Sequence, residues 1–271
     1  MDDDGKPTLK ETPLYERETG NRFVRSGLLS FLSIVVIWEL LARASGWSVH
    51  VFPDPWAVIL SFIELLRDGT LVRHTVASLY RVTVGFYLAV LLGVPLGICL
   101  GRNLTARSFL NPVIHFLRPI SPLAWIPLAM LWFGIGDPPA IFLIFLASFF
   151  PMVVGTTIAV QNINPTFFQV AANFRFSRRE TLTRLILPAI MPEVITALRM
   201  TVTIAWLVVV AAEMIAVQSG LGYLILDARN ALRMDFVMNG MIVIGLIGLM
   251  LDGIMKRLGQ VESSQWGRHE R

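Results

Sequence analysis

The stretch QVAANFRFSRRETLTRLILPAIMP, residues 169–192, separates two long apolar runs and carries four arginines and a glutamate. The preceding Asn164–Pro165 suits a helix start, because asparagine caps helices and proline is favoured at the first helical position. Ser177 and Glu180 have the spacing of a capping box, which marks the start of a second helix. The pattern therefore predicts a short helix, a corner and a second helix that enters an apolar run near Pro188.

The composition of the chain is that of a membrane protein. Its 271 residues are 55% hydrophobic and 15% charged, whereas a soluble domain carries about 25% charged residues. The pI of about 9.6 does not indicate nucleic-acid binding, because the basic residues bracket apolar runs and form no basic domain. The single cysteine, Cys99, supports neither a disulfide framework nor a metal cluster, and the four histidines show no metal-binding spacing.

A membrane-spanning helix needs about 20 mostly apolar residues, and six stretches meet this requirement. They are residues 26–47, 78–101, 108–136, 138–163, 192–217 and 236–258. The third is the least regular, since it contains four prolines. The sequence thus predicts an all-α polytopic membrane protein with six transmembrane helices.

The distribution of lysine and arginine predicts the orientation of these spans. With the N-terminus inside, the inner segments hold fifteen basic residues and the outer segments hold four. Inner loops of membrane proteins carry this excess. We therefore expect both termini to be cytoplasmic, with tails at 1–25 and 259–271 flanking a transmembrane domain at 26–258, whose segment 164–187 faces the cytoplasm.

Two interpretations of segment 164–187 follow from the residues alone. In both, Phe167, Ala171 and Phe174 share one helical face, with Phe168 and Ala172 beside them. The first interpretation is an amphipathic helix that lies on the lipid surface with its arginines on anionic headgroups. The second is a docking element for a cytoplasmic partner, which the folded, capped character of the segment favours.

The segment also resembles the coupling motif of the membrane subunits of binding-protein-dependent ABC importers. Gln169-Val170-Ala171 stands at the EAA position of that motif, Arg175 at its glycine and Ile186-Leu187-Pro188 at its closing Leu-Pro. The stretches LRPISPLAWIPLAMLWFGIG (117–136), SGLGYLILDARNALRMD (219–235) and GMIVIGLIGLMLD (240–252) are similar to the nitrate/sulfonate/taurine/bicarbonate branch of this family.

The resemblance implies a MetI-like permease fold with a cytoplasmic coupling helix. It implies a homodimer on two cytoplasmic ABC ATPase subunits, with an external substrate-binding protein and no catalytic residues or cofactor in this chain. ATP and Mg²⁺ would bind the ATPases, because the chain contains no G-x-x-x-x-G-K-[ST] motif. The implied ATPase-coupling residues are Phe168, Gln169, Val170, Ala171, Ala172, Asn173, Arg175, Ser177 and Arg178.

Two of these residues depart from the motif. Gln169 replaces a glutamate and weakens a charged contact to a neutral hydrogen bond. Arg175 replaces a glycine, so a corner with positive φ would carry a conformational cost. We expect Ala171→Arg to uncouple transport from ATP while leaving insertion intact.

Polar residues within the predicted spans are candidates for the translocation pathway: Arg118, Ser121, Trp125, Arg81 and Glu213. Arg118 lies in a proline-broken span, where it either attracts an oxyanion or reaches the headgroups. Trp125 either lines the path or packs. Arg81 and Glu213 either gate the path or form a structural pair, and Asp252 is expected to pair with Lys256.

Two other classes of protein fit an apolar chain of this length. A secondary transporter driven by an ion gradient usually shows internal repeats and buried carboxylates, whereas here no repeat is evident and the acidic residues lie near span ends. A membrane-embedded enzyme would need a cluster of nucleophile, base or metal ligands within the spans. The sequence shows no such cluster, and it does not identify the transported anion.

Overall fold

The computed structural model describes residues 29–30, 32–44, 46–48 and 51–266, with side chains up to residue 257. The predicted tail 1–25 lies outside the described residues. The described part is helical and contains no strand, so the predicted all-α class is confirmed. The helices are α1 (32–44), α2 (Pro55–Arg67), α3 (Thr70–Arg102), α4 (Leu104–Leu117), a 3₁₀ turn (Pro122–Trp125), α5 (Ile126–Phe133), α6 (Asp137–Gln161), α7 (Pro165–Asn173), α8 (Arg178–Ala216), α9 (Leu221–Asn230) and α10 (Met234–Trp266).

The six predicted spans are matched only in part within the described residues. Within the described residues, four helices are long and apolar enough to cross a membrane: α3, α6, α8 and α10. The pair α4 and 122–133 gives a fifth if its two halves form one broken span. Only residues 32–44 of the first predicted span form a described continuous helix.

The third predicted span, 108–136, is bent by 86° between α4 and residues Pro122–Phe133. Proline explains the break, because Pro119 and Pro122 lack a backbone N–H. The helix α4 ends at the cap residue Arg118, which is still in helical geometry, and Ser121 leaves that geometry with ψ 130° immediately before Pro122. A prediction based on hydropathy averages across such a break.

A row of glycines brings α3 and α6 into close contact. Gly93, Gly97 and Gly101 recur every four residues along one face of α3. A Cβ atom added to Gly97 would lie 2.6 Å from the Cβ of Thr156, and one on Gly101 would lie 2.6 Å from the Cβ of Val160. Small residues at this spacing let membrane helices approach closely, so α3 and α6 form the centre of the bundle.

The helix α8 runs without interruption from Arg178 to Ala216. Its residues Thr181–Ile186 form a π-helical turn directly before Pro188, in which Leu187 N–H bonds Leu182 C=O. The wider turn accommodates a proline that lacks the N–H of a regular helix. The helix also continues through Pro192, so the local break that this proline permits is absent.

The ends of the bundle are defined by α7 and α9. The C-terminal part of α3, the end of α6 and the start of α8 lie at the α7 end, whereas Thr70, Asp137 and Ala216 lie towards the α9 end. About midway along α8, Arg199 Nε donates a hydrogen bond to Asp252 of α10 at 2.8 Å. The prediction that Asp252 pairs mainly with Lys256 is therefore wrong. Its carboxylate instead joins α10 to α8 through Arg199.

Candidate coupling segment and polar networks

The candidate coupling segment consists of the helix α7, the corner after it and the first turn of α8. Asn164 caps α7 by accepting a hydrogen bond from the N–H of Thr166 at 2.9 Å, and Pro165 is the first helical residue. Both features agree with the start predicted from the sequence. They fix the N-terminal end of the segment.

The corner after α7 is a Schellman cap built on an arginine. Arg175 has φ 54°, and its N–H bonds Ala172 C=O while Phe176 N–H bonds Ala171 C=O, both at 2.9 Å. This pair of bonds closes helices whose cap residue is left-handed, a position usually filled by glycine. The corner thus keeps the geometry expected of a glycine and places a charged side chain on it.

The first turn of α8 is fixed by the predicted capping box. Ser177 N–H donates to Glu180 Oε2 at 2.9 Å, and Glu180 N–H donates to Ser177 Oγ at 3.3 Å. The backbone between α7 and α8 is therefore hydrogen-bonded on both sides of Phe176. No slack loop therefore separates α7 from α8.

The inward face of α7 is formed by Phe168 and Ala171. Ala171 is 6% exposed, and Phe168 packs on the buried cluster of Val160, Ile163 and Ile186. The predicted face that grouped Phe167, Ala171 and Phe174 is wrong, because Ala171 points into the chain while both phenylalanines point outward. An arginine at residue 171 would disrupt packing and would not report cleanly on docking.

The outward face of α7 and the corner carries apolar side chains that the chain itself does not cover. Phe167, Val170 and Phe174 are 55%, 44% and 74% exposed. We call these three residues the knob face. The predicted coupling residues did not include Phe167 and Phe174, although their spacing of three and four residues from Val170 is the signal of a face shared with it. The other predicted coupling residues, Gln169, Ala172, Asn173, Arg175, Ser177 and Arg178, are also exposed.

The α7 helix also contacts the end of α3. The guanidinium of Arg102 lies 5.3 Å from the centroid of the Phe168 ring, which is within cation–π distance. Phe168 is thereby held between α3 and the cluster below α7. This contact attaches the segment to the helix that packs most closely on α6.

At the opposite end of the bundle, Arg81 and Glu213 form a buried ion pair. Arg81 is 1% exposed and Glu213 is 0% exposed, and Arg81 Nη1 lies 2.7 Å from Glu213 Oε1. Arg81 Nε also donates to Asp137 Oδ1 at 2.7 Å, and its guanidinium bonds both the carbonyl and the hydroxyl of Ser219. Of the two predicted alternatives for Arg81 and Glu213, a gate or a structural pair, the observed arrangement matches the structural pair.

The same network anchors the start of α9. The second oxygen of Glu213 accepts hydrogen bonds from Ser78 Oγ at 2.8 Å and from Gly222 N–H at 3.0 Å. A Cβ on Gly220, where φ is 101°, would lie 2.2 Å from the Glu213 carboxylate. The close approach explains why glycine stands there, and the network joins α3, α6, α8 and α9 into one unit.

The other predicted pathway residues, Arg118, Ser121 and Trp125, do not contact the Arg81–Glu213 network. Arg118 is exposed at the end of α4, and Ser121 is exposed at the break. Trp125 packs on the cluster of Ile126 and Ala129 and lies 6.4 Å from Trp132 between ring centroids. Packing is therefore the alternative that the geometry supports for this tryptophan.

A second charged cluster lies where α9 meets α10. Arg233 bonds Glu64 Oε2 at 3.0 Å and Asp235 Oδ2 at 2.9 Å, and its guanidinium lies 3.8 Å from the Phe236 ring centroid. The hydrogen bond to Asp235 raises the pKa of Arg233 above its usual value. These contacts hold α2 and the end of α9 against α10, so the cluster orders the surface at the α9 end.

Comparison with known proteins agrees with this architecture. Residues 89–260 match the family described as binding-protein-dependent transport system inner membrane component. The taurine transport system permease protein of Escherichia coli is 35% identical, over 81% of this chain and 82% of that protein. The nitrate import permease protein of Leptolyngbya laminosa is 33% identical, over 84% of this chain and 83% of that protein. The resemblance inferred from the coupling motif is confirmed.

Among solved structures, an inward-facing MetNI methionine ABC transporter chain has a TM-score of 0.63 and 14% identity. The match covers 71% of this chain and 96% of that chain. At this identity the match establishes the fold alone. The predicted MetI-like permease fold is confirmed.

Proposed function

Because the chain belongs to the family of inner membrane components of binding-protein-dependent transport systems, we propose that it is the permease subunit of an ATP-driven ABC importer. Its substrate is a small anion of the nitrate, bicarbonate or sulfonate/taurine type, delivered by an external binding protein. The similar permeases named for taurine and for nitrate support this substrate class. Two copies of the chain would enclose the path.

The observation that carries the proposal is the knob face on a helix with fixed ends. Phe167, Val170 and Phe174 are exposed on α7, while Phe168 and Ala171 hold α7 against the bundle. Exposed apolar side chains on a rigid helix suit a groove in a partner protein, where they are removed from water. The partner would be a cytoplasmic ABC ATPase, one for each permease copy, holding ATP and Mg²⁺.

The continuous α8 provides the mechanical link. ATP-driven closure of the two ATPases would move α7, and the Schellman cap and capping box would pass the displacement to α8. At its far end, Glu213 attaches α8 to α9, where the binding protein would dock on the outer surface. Transport then follows from a two-state equilibrium of the bundle that nucleotide biases.

Substitution of the knob face tests the proposal. We expect Val170→Arg to abolish co-purification of the ATPase and to reduce ATP-dependent anion uptake at least tenfold, because a charge would enter an apolar groove. Val170 is 44% exposed, so folding and insertion of the variant should be unaffected. The matched control is Val51→Arg, at an exposed residue near the start of α2.

Retention of the ATPase by the Val170→Arg variant at the level of the Val51→Arg control would contradict the docking role.

A separate experiment identifies the anion: uptake by the intact transporter is measured with labelled nitrate, bicarbonate, taurine and an alkanesulfonate. Uptake that persists without ATP and collapses with the proton gradient would instead indicate a secondary transporter.

A further inference from the structure

Arg107 differs from the other partly or fully buried arginines of the described chain. Four arginines in that part are partly or fully buried: Arg81, Arg107, Arg199 and Arg233. Three of them bond a carboxylate within 3.0 Å. Arg107, which is partly buried, has no hydrogen-bonded or ion-paired partner for its guanidinium among the described residues, so its positive charge is available to a ligand.

Arg107 lies in a cleft between α4 and α6 that is suited to an anion. The cleft has a volume of about 490 Å³, and its polar lining is Arg107, Asn111 and His115 on α4 with Thr157 and Gln161 on α6. The three residues of α4 are spaced by four and therefore face one side of that helix. No described residue that lines the cleft is acidic.

The side chains around Arg107 can donate hydrogen bonds. The amides of Asn111 and Gln161 and the imidazole of His115 carry N–H groups, and none of the three has a side-chain hydrogen bond to another described residue. Thr157 is already engaged, because its hydroxyl donates to Val153 C=O at 2.7 Å. One cation and several free donors, with no carboxylate, form a set that is complementary to oxyanions.

The cleft opens towards the coupling segment. A neighbouring cleft of about 480 Å³ shares Arg107 and Gln161 with it and extends to Arg102 and Phe168 of the α7 end. An anion held at Arg107 would therefore lie directly above α7. Movement of α7 would change the shape of this neighbouring cleft, which Pro165 and Phe168 line.

We infer that this cleft binds an oxyanion, with the guanidinium of Arg107 as the counter-charge and Asn111, His115 and Gln161 as neutral donors. The role of this site in transport rests on the proposed function: it would hold the substrate before release at the α7 end. The same chemistry is offered by a free anion such as nitrate or a sulfonate and by the phosphate of an anionic lipid. The experiment below separates these two sources.

Binding is measured on the full-length chain in nanodiscs of phosphatidylcholine, titrated with sodium nitrate or sodium ethanesulfonate at constant ionic strength set with sodium chloride. We expect saturable binding of at least one of the two anions, weakened about tenfold or more in Arg107→Gln by loss of a charge-assisted bond. Arg107→Lys should retain part of the affinity. The matched control is Arg73→Gln, an exposed arginine near the start of α3, whose affinity should equal that of the unsubstituted chain.

A second measurement uses the unsubstituted chain, so that misfolding of a variant cannot obscure the result. Phenylglyoxal labels accessible arginines, and mass spectrometry reports labelling at Arg107 and, as an internal control, at the exposed Arg73. Nitrate or ethanesulfonate should protect Arg107 at least threefold and leave Arg73 unprotected.

If phosphatidylglycerol in the nanodisc protects Arg107 from phenylglyoxal and the free anions do not, the oxyanion site is supported and its ligand is a lipid headgroup. Absence of protection by both sources, or equal affinity in Arg107→Gln, would overturn the site. Neither result depends on the ATPase, so a failure here is distinct from a failure of the docking role tested with Val170→Arg.

Discussion

At the scale of single residues, Arg175 stands out because it is an arginine at a left-handed position. Its φ of 54° costs an L-residue about 1 kcal/mol or more relative to glycine. The exposed side chain recovers none of this through a hydrogen bond or ion pair within the described chain. A contact with the proposed ATPase would offset the cost.

We therefore predict that Arg175→Gly raises the stability of the isolated chain by about 1 kcal/mol while it weakens association with the ATPase. Thermal unfolding in detergent and co-purification measure the two effects. The control is Arg178→Gly, at the first residue of α8, which should lower stability because glycine is unfavourable in a helix. A loss of stability in Arg175→Gly would contradict the account of the corner.

Glu213 is the second residue whose environment permits a sharp prediction. Its carboxylate is the buried partner of Arg81 and an acceptor for Ser78 and Gly222. Glu213→Gln should therefore lower the free energy of unfolding by about 3 kcal/mol, since it leaves a buried guanidinium undercompensated.

The control for Glu213→Gln is Asp137→Asn, because that carboxylate also bonds Arg81 but its side chain is 50% exposed. Its loss should cost about 1 kcal/mol or less. Chemical denaturation of both variants gives the comparison. Equal losses in the two variants would mean that Glu213 is not the principal partner of Arg81.

At the scale of helices, the contact of α3 with α6 depends on the absence of side chains. A Cβ at Gly97 would lie 2.8 Å from Val153 C=O and 2.6 Å from the Cβ of Thr156, and the carbonyl belongs to the α6 backbone. We predict that Gly97→Ala destabilises the bundle by about 1–3 kcal/mol through overpacking. Gly245→Ala is the control, since nothing lies within 4 Å of its added Cβ, and it should be neutral or stabilising. An equal response of the two variants in thermal unfolding would exclude the close α3–α6 contact as a determinant of stability.

The elements also show how far sequence patterns reach. The cap at Asn164, the capping box at Ser177 and the helical class were predictable, because they depend on local hydrogen bonding and on hydropathy. The 86° bend within the third predicted span and the continuity of α8 through Pro188 and Pro192 were not predictable, because prolines break the helix at the bend but not α8, where a π turn precedes Pro188. The inward turn of Ala171 depends likewise on the cluster beneath α7.

At the scale of the whole molecule, the charged residues join the helices into a unit with two distinct ends. The Arg81–Glu213 network holds α3, α6, α8 and α9 together at one end, and Arg199–Asp252 ties α8 to α10 about midway along α8. Pairing across helices separated by many residues cannot be read from local spacing, which favoured Asp252–Lys256. The excess of basic residues in the predicted inner segments places the α7 end in the cytoplasm under the proposed function.

The proposal that the knob face docks an ATPase is tested most directly by cross-linking at Val170. In a Cys99→Ala background, Val170→Cys would carry a short photoreactive thiol label in the intact membrane complex. The account predicts a covalent product with the cytoplasmic ATPase whose yield changes when ATP binds, with no such product from Val51→Cys. Labelling of lipid alone at residue 170, or a product only with proteins on the outer side, would contradict it.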